Sequence, residues 1–320
     1  MLKSLPDKKK IITFILENAV SVFLIGFIIF MVFTKRSFST WDNIVNIINE
    51  SSIYGIAACA MTVVIISGEF DLSASSVFGW STVLFTMCCN TIGVLGAFVV
   101  TILCGALFGA FNGYLVAKVK MPAFVVTLGT MIAIKGLAFV VTKAQPINTD
   151  NATLKAIGRI HVGDISIIPM VYVAVAVLFI WFLRNTKFGR DIYATGGNYE
   201  VARLSGINVV FSKFIVFTML GAAAALAAAM YGVRIKAGWA PYGQDLSLYC
   251  IAATIICGTS LLGGNGGVHK TIIGVLLLAV LFNALTLLGV SGSMQKFVRG
   301  LVLITVIMLD AIVAKRRKDR

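Results

Sequence analysis

Three groups of residues in this 320-residue chain stand at spacings that could carry chemistry. In residues 263–271, GGNGGVHKT, Gly264 and Lys270-Thr271 have the separation of a phosphate-binding GxxxxGKT loop, whose backbone amides cradle phosphates while its lysine reaches the terminal ones. His269 stands where that loop needs glycine, and the segment opens an apolar run instead of joining a buried strand to a helix. The expectation is a glycine-rich turn between packed helices, with any ATP bound by another subunit. In residues 67–76, SGEFDLSASS, Glu69 and Asp71 lie among four serines with no basic residue nearby in the sequence. Ionisable groups at membrane depth are expensive and face a protein interior or a water-filled path. We therefore expect irregular backbone lining a pathway, with Glu69, Asp71 and Ser73 on it. The third group is negative: Cys59, Cys88, Cys89, Cys104, Cys250 and Cys257 sit in apolar runs, and His161 and His269 are far apart. They read as small buried hydrophobes and isolated imidazoles, with no zinc, haem, other cofactor or disulfide framework.

The elements that must position these residues are membrane spans. Hydrophobic residues make up 59% of the chain and charged ones 12%, with mean hydropathy +0.96, far outside the soluble range. A crossing needs about 20 apolar residues and must be helical, because lipid offers no hydrogen bonds to backbone. The breaks predict an all-α polytopic protein, a single transmembrane domain over residues 1–320 with about ten spans: 12–33, 51–67, 75–91, 94–116, 122–142, 165–183, 211–232, 246–262, 271–288 and 297–314. The run after Lys8, Lys9 and Lys10 is too long for a signal-peptide core and reads as a retained anchor. With both termini cytoplasmic, Lys118, Lys120, Arg184, Lys187, Arg190, Arg203, Lys213, Lys270 and the basic tail fall inside, as the positive-inside rule requires. The net charge of +14 is thereby explained by topology and anionic lipid, not by nucleic acid.

Between two spans lies a polar island, FGRDIYATGGNYEVARLSGIN, inside a cytoplasmic segment at 184–210. It encodes a short helix that Asn198 caps and Gly206 stops. Tyr199, Val201, Ala202 and Leu204 put apolar surface beside Glu200 and Arg203 on a helix too short to stand alone, so it needs a partner to lie against.

Other polar residues fall inside spans. Lys135, in the fifth, snorkels outward or pairs with a carboxylate, and Asp310 can be neutralised by Lys315 and Arg316. Asn112 and Asn283 serve as interhelical hydrogen-bond glue or as contacts on the translocation path. GALFGAFNG (105–113) and GAAAALAAA (221–229) offer small-residue faces for close packing. Asp71-Leu72-Ser73 recurs as Asp245-Leu246-Ser247 five spans later, an odd separation that would place spans two to five and seven to ten in an inverted repeat.

Several long motifs in order, GEFDLS (68–73), NGYLVAKVKMPAFVVTLGTM (112–131), the island, CGTSLLGGNGG (257–267) and MQKFVRGLVLITVIMLD (294–310), resemble the permease subunits of bacterial ABC importers for simple sugars of the ribose, xylose, galactose and autoinducer-2 type. The resemblance covers nearly the whole chain. It implies about ten helices arranged similarly to the vitamin B12 importer, in a bacterial plasma membrane, with no catalysis by this subunit. It also implies a second permease copy or paralogue, an ATPase with two nucleotide-binding domains per complex, and an extracytoplasmic solute-binding protein. Residues 196–206 (Gly196, Gly197, Asn198, Tyr199, Glu200, Val201, Ala202, Arg203, Leu204, Ser205 and Gly206) then form the coupling helix that docks on the ATPase. Ser75 departs from a family glycine, and serine tolerates φ > 0 poorly. The competing reading is an ion-gradient-driven secondary transporter. It requires acids near the bilayer midplane, whereas Glu50, Glu69, Asp71, Asp245 and Asp310 all fall near span ends. Trp80, Trp239 and Tyr242 stack on a sugar or belong to interfacial belts.

Overall fold

The computed structural model describes residues 19–318, with side-chain surroundings to residue 308. Lys8 to Lys10 and Arg320 lie outside the described residues, as do the side chains of Asp310, Lys315 and Arg316. The chain runs α1 (Ala19–Thr34), a 3₁₀ turn (Arg36–Ser39), α2 (Trp41–Ile66), α3 (Ala74–Thr91), α4 (Gly93–Ala117) and α5 (Ala123–Thr142). A short outer segment follows, with β1 (Ile147–Asn148), α6 (Ala152–Ile157), β2 (His161–Val162) and β3 (Ile165–Ser166). Then come α7 (Ile167–Asn185), α8 (Lys187–Gly197), α9 (Tyr199–Leu204), α10 (Val209–Ile235), β4 (Ala237–Gly238), α11 (Leu246–Ile256), α12 (Val268–Leu287) and α13 (Gly292–Lys318). β1 pairs antiparallel with β4, and β2 with β3.

The protein is helical and polytopic in character: α2, α4, α5, α7, α10 and α12 are each long and apolar enough to cross a membrane. Every expected span coincides with a helix among the described residues, but lengths differ, most at α2, α11 and α13, the last of which spans Gly292–Lys318 where 297–314 was expected. α2 begins at Trp41, ten residues before the expected start, because polar residues such as Asn43 and Asn49 are buried on its inward face and do not break it. α11 stops at Ile256 where 262 was expected, since residues 257–267 turn back through glycines at positive φ.

Close packing follows from small residues. Gly105, Gly109 and Gly113 of α4 lie against Gly221, Phe217 and Phe214 of α10, and a methyl group at Gly109 would overlap the Phe217 carbonyl. Gly274 of α12 likewise meets the Ala253 carbonyl of α11. In lipid, where burial of apolar surface gives helices little drive to associate, this backbone approach supplies the dispersion contacts that hold them. α4 packs most extensively on α10, α2 is wrapped by α10, α12, α7 and α11, and the core of Ile53, Ile56, Met61, Phe217, Leu220 and Leu246 is fully buried. Buried hydroxyls tie helices as well: Thr62 Oγ1 of α2 lies 2.7 Å from Thr271 Oγ1 of α12.

Gly109→Val should separate α4 from α10 and cost at least the roughly 1–3 kcal/mol of an overpacked core. Gly129→Ala, with nothing within 4 Å of the added carbon, should leave stability unchanged. Thermal unfolding of the detergent-solubilised protein, followed by size-exclusion recovery, compares the two; equal midpoints would refute the α4–α10 contact.

Candidate functional site

Two connections and one loop segment converge at the end of the bundle that carries α8 and α9. α2 closes in a Schellman turn: Gly68 N–H bonds Ile65 O (2.9 Å), Glu69 N–H bonds Val64 O (3.2 Å), and Gly68 takes φ +82°. The chain from Ser67 to Ser73 is irregular, as expected from its sequence, and buries Ser67, Asp71 and Ser73. Asp71 Oδ1 accepts the Ser73 N–H at 2.6 Å, and Asn112 Nδ2 of α4 donates to Ser73 Oγ at 2.8 Å. Asn112 is fully buried, so three of the five residues expected on the pathway, Asp71, Ser73 and Asn112, form one cluster.

Glu69 points the other way. Its carboxylate pairs with Lys213 of α10, both side chains less than a fifth exposed, and the Lys213 ammonium also lies 5.5 Å from the Tyr199 ring of α9. The absence of basic residues around this segment is thus true of the sequence and not of the fold. Asn283 sits elsewhere: it exchanges two amide hydrogen bonds with Asn43 (3.1 and 2.8 Å), tying α12 to α2.

The island holds two helices instead of one. Thr186 caps α8 by accepting Gly189 N–H, and Asn198 caps α9 by accepting Val201 N–H at 3.1 Å. Gly206, at φ +81°, ends α9 in a second Schellman turn, with Gly206 N–H on Arg203 O and Ile207 N–H on Ala202 O. Of the apolar residues on α9, Val201 and Leu204 are 58% and 81% exposed while Ala202 is buried and Tyr199 faces Lys213. Gly196 and Gly197 belong to the last turn of α8; Gly196 packs inward, where a methyl group would overlap the Ile66 carbonyl, while Gly197 is exposed.

The glycine turn of residues 263–267 completes this junction. Gly264 N–H bonds Ile66 O at 2.8 Å, Gly263 lies against Gly68 and Gly196, and Tyr193 of α8 donates to Gly266 O at 2.9 Å. Burial, opposed by the Arg184 charge, holds the Tyr193 phenol above its ordinary range, so it stays a neutral donor. The Gly264 amide of the segment with phosphate-loop spacing is already engaged by backbone, and the segment is the turn its sequence suggests.

Residues 43–307 match the family model described as branched-chain amino acid transport system / permease component. The chain belongs to that permease family. It is 36% identical to the ribose import permease protein of Haemophilus influenzae, over 89% of this chain and 90% of that protein. It is 30% identical to the xylose transport system permease protein of the same organism (80% and 85%) and 32% identical to the inner membrane ABC transporter permease protein YjfF of Escherichia coli (82% and 81%). No solved structure matches.

Deeper in the permease, α3 and α11 begin side by side. Ser75 N–H bonds Ser247 Oγ, Ser247 N–H bonds Ser75 Oγ (both 2.9 Å), and the Ser247 hydroxyl reaches Leu72 O. Ser75 therefore lies in the first turn of α3 with no positive φ. The departure from glycine needs no unusual backbone and supplies a hydroxyl that caps the opposite helix. Trp239, Tyr242 and Tyr231 form an edge-to-face cluster, and Trp80 Nε1 donates to Cys104 Sγ at 3.3 Å. All six cysteines are free thiols.

Sequence spacing gave no sign of Lys213, which is 144 residues from its partner. Removing one member of this largely buried pair strands the other. Glu69→Gln and Lys213→Gln should each lower the unfolding midpoint, and the double variant should recover part of the loss, with a coupling of about 0.5–3 kcal/mol. Strictly additive losses would show that the pair contributes nothing.

Proposed function

We propose that this permease is the transmembrane subunit of an ATP-driven importer that moves a simple sugar or sugar-like solute into a bacterial cell, and that it performs no catalysis itself. The observation that carries the reading is α9. A capped, two-turn helix presents Val201 and Leu204 to solvent while its base is fixed by the buried Ala202 and the Tyr199–Lys213 contact. So short a helix is stable only when its apolar face finds a partner. The family membership supports an ATPase with two nucleotide-binding domains as that partner, beside a second permease copy or paralogue and an extracytoplasmic solute-binding protein. In this reading α8 and α9 lie in the cytoplasm with both termini, and the chain crosses the plasma membrane about ten times in an arrangement of the vitamin B12 importer kind.

The packing also supports an inverted repeat of α2–α5 with α10–α13. α4 packs on α10 as α12 packs on α2, and α3 packs on α5 as α11 packs on α13. Half of each repeat thus lies against the other, as two units related by a pseudo-two-fold axis in the membrane plane would. The Asp71–Ser73–Asn112 cluster lies where α3 starts, and we assign it to the shaping of the translocation path. Asn283, bonded to Asn43, is assigned to packing.

Leu204→Asp tests the docking. Position 204 is open to solvent, so the isolated subunit should fold and insert normally. A carboxylate buried unpaired in a contact costs several kcal/mol, enough for orders of magnitude in affinity. Loss of ATPase co-purification and of ATP-driven uptake is expected, and wild-type uptake with retained co-purification would make α9 a lipid-surface element.

Asp71→Asn keeps the shape of the cluster and removes its charge. Uptake should fall several-fold at equal membrane abundance while ATPase binding is retained. Unchanged uptake would place Asp71 outside the path.

A further inference from the structure

Two cavities in this chain share corresponding wall positions in the two halves. One, of about 120 Å³, lies between α11, α12 and α13, and α13 lines it with Lys296, Arg299, Gly300, Val302 and Leu303. The other, of about 360 Å³, lies between α3 and α5, and α5 lines it with Met131, Ile132, Lys135, Gly136 and Phe139. Both walls include the residues three before, one after and four after a cation that is followed by Gly-Leu, while Val302 of the first and Met131 of the second have no counterpart in the other. Tyr249 of the first cavity and Ser75 of the second both stand four residues after the aspartate of a DLS triplet. These correspondences follow from the side-chain walls alone.

The cations differ in what answers them. Arg299 Nη1 holds Asp245 Oδ2 at 3.1 Å and its guanidinium lies 4.6 Å from the Phe282 ring, so the cation of the small cavity has its own counter-ion. Lys135 forms no ion pair among the described residues, and no carboxylate lines its cavity. The first-half aspartate, Asp71, is turned instead to the Ser73 amide. Gln244, on the connection that enters α11, and Ser76 of α3 supply neutral polar groups across from Lys135. A charged side chain within a membrane span is tolerated where it meets a partner or water. Here the space of a small-molecule site stands where the other half keeps an acid.

We infer that the α3–α5 cavity is a solute subsite, in which acceptor oxygens of a small polyhydroxylated solute take the place at Lys135 that Asp245 takes at Arg299, with Gln244 as a second contact. This rests on the sugar-importer reading and assigns Lys135 as the residue that orients the solute on its way through.

The test uses Gln244→Cys permease assembled with its ATPase in liposomes, with the wild-type chain and its native cysteines as background. The probes are two membrane-impermeant thiosulfonates, one anionic and one cationic. The exposed position 244 should react, and Lys135→Met should lower the anionic-to-cationic rate ratio about threefold or more, as loss of one nearby unpaired charge requires. Either D-ribose or D-xylose should slow the reaction, with the protection lost in Lys135→Met and kept in Lys135→Arg. No reaction in the assembled complex would mean that protein or lipid covers the cavity, and an unchanged ratio would mean that Lys135 does not face it; either overturns the inference. So does failure of a sugar to protect while the same complex imports it. If the wild-type complex imports neither sugar, it is the substrate reading that fails, and the reagent ratio decides the cavity by itself.

Discussion

Two helices, α3 and α11, start in the interior, where no bulk water can satisfy the free N–H groups of a first turn. A helix start left unpaired in such surroundings costs several kcal/mol for each group. The exchange between Ser75 and Ser247, each donating its amide to the other's hydroxyl, meets that demand with two residues. The constraint reaches outward. Because the two starts must lie side by side, α2 and α10 must bring the chain to this depth and their following connections must be irregular there, which is why polar residues occupy 67–73 and 239–245.

Small residues make the geometry attainable. The α4–α10 contact brings backbones together through Gly105, Gly109 and Gly221, and the junction beneath α3 does the same through Gly68, Gly196 and Gly263. The second of these is where an exposed surface communicates with the interior. α8 is bonded to the 263–267 turn through Tyr193, that turn is bonded to Ile66, and α9 is held through Tyr199 and Lys213 to Glu69, two residues from Asp71. The island is thus joined to the start of α3 by a run of direct contacts.

The sequence by itself determined what lipid and local backbone chemistry dictate. Apolar run lengths located the helices, and Asn198 and Gly206 located both ends of α9, because cap and stop are properties of the residues there. The failure of GGNGGVHKT as a phosphate loop was readable from His269 alone. Tertiary structure decided whatever depends on partners distant in the chain. Glu69 found its cation 144 residues away, and Asn283 was committed to Asn43 across 240. Gly196 turned inward although its sequence adjoins an exposed helix, and Ser75, in doubt as a substitute for glycine, became a cap. A three-residue echo hinted at a repeat, but only folding gave Arg299 its partner Asp245 and set Lys135 in a cavity wall with no ion pair among the described residues. Pairing of charges is set by the position of whole helices, and that position is fixed by packing that no local stretch encodes.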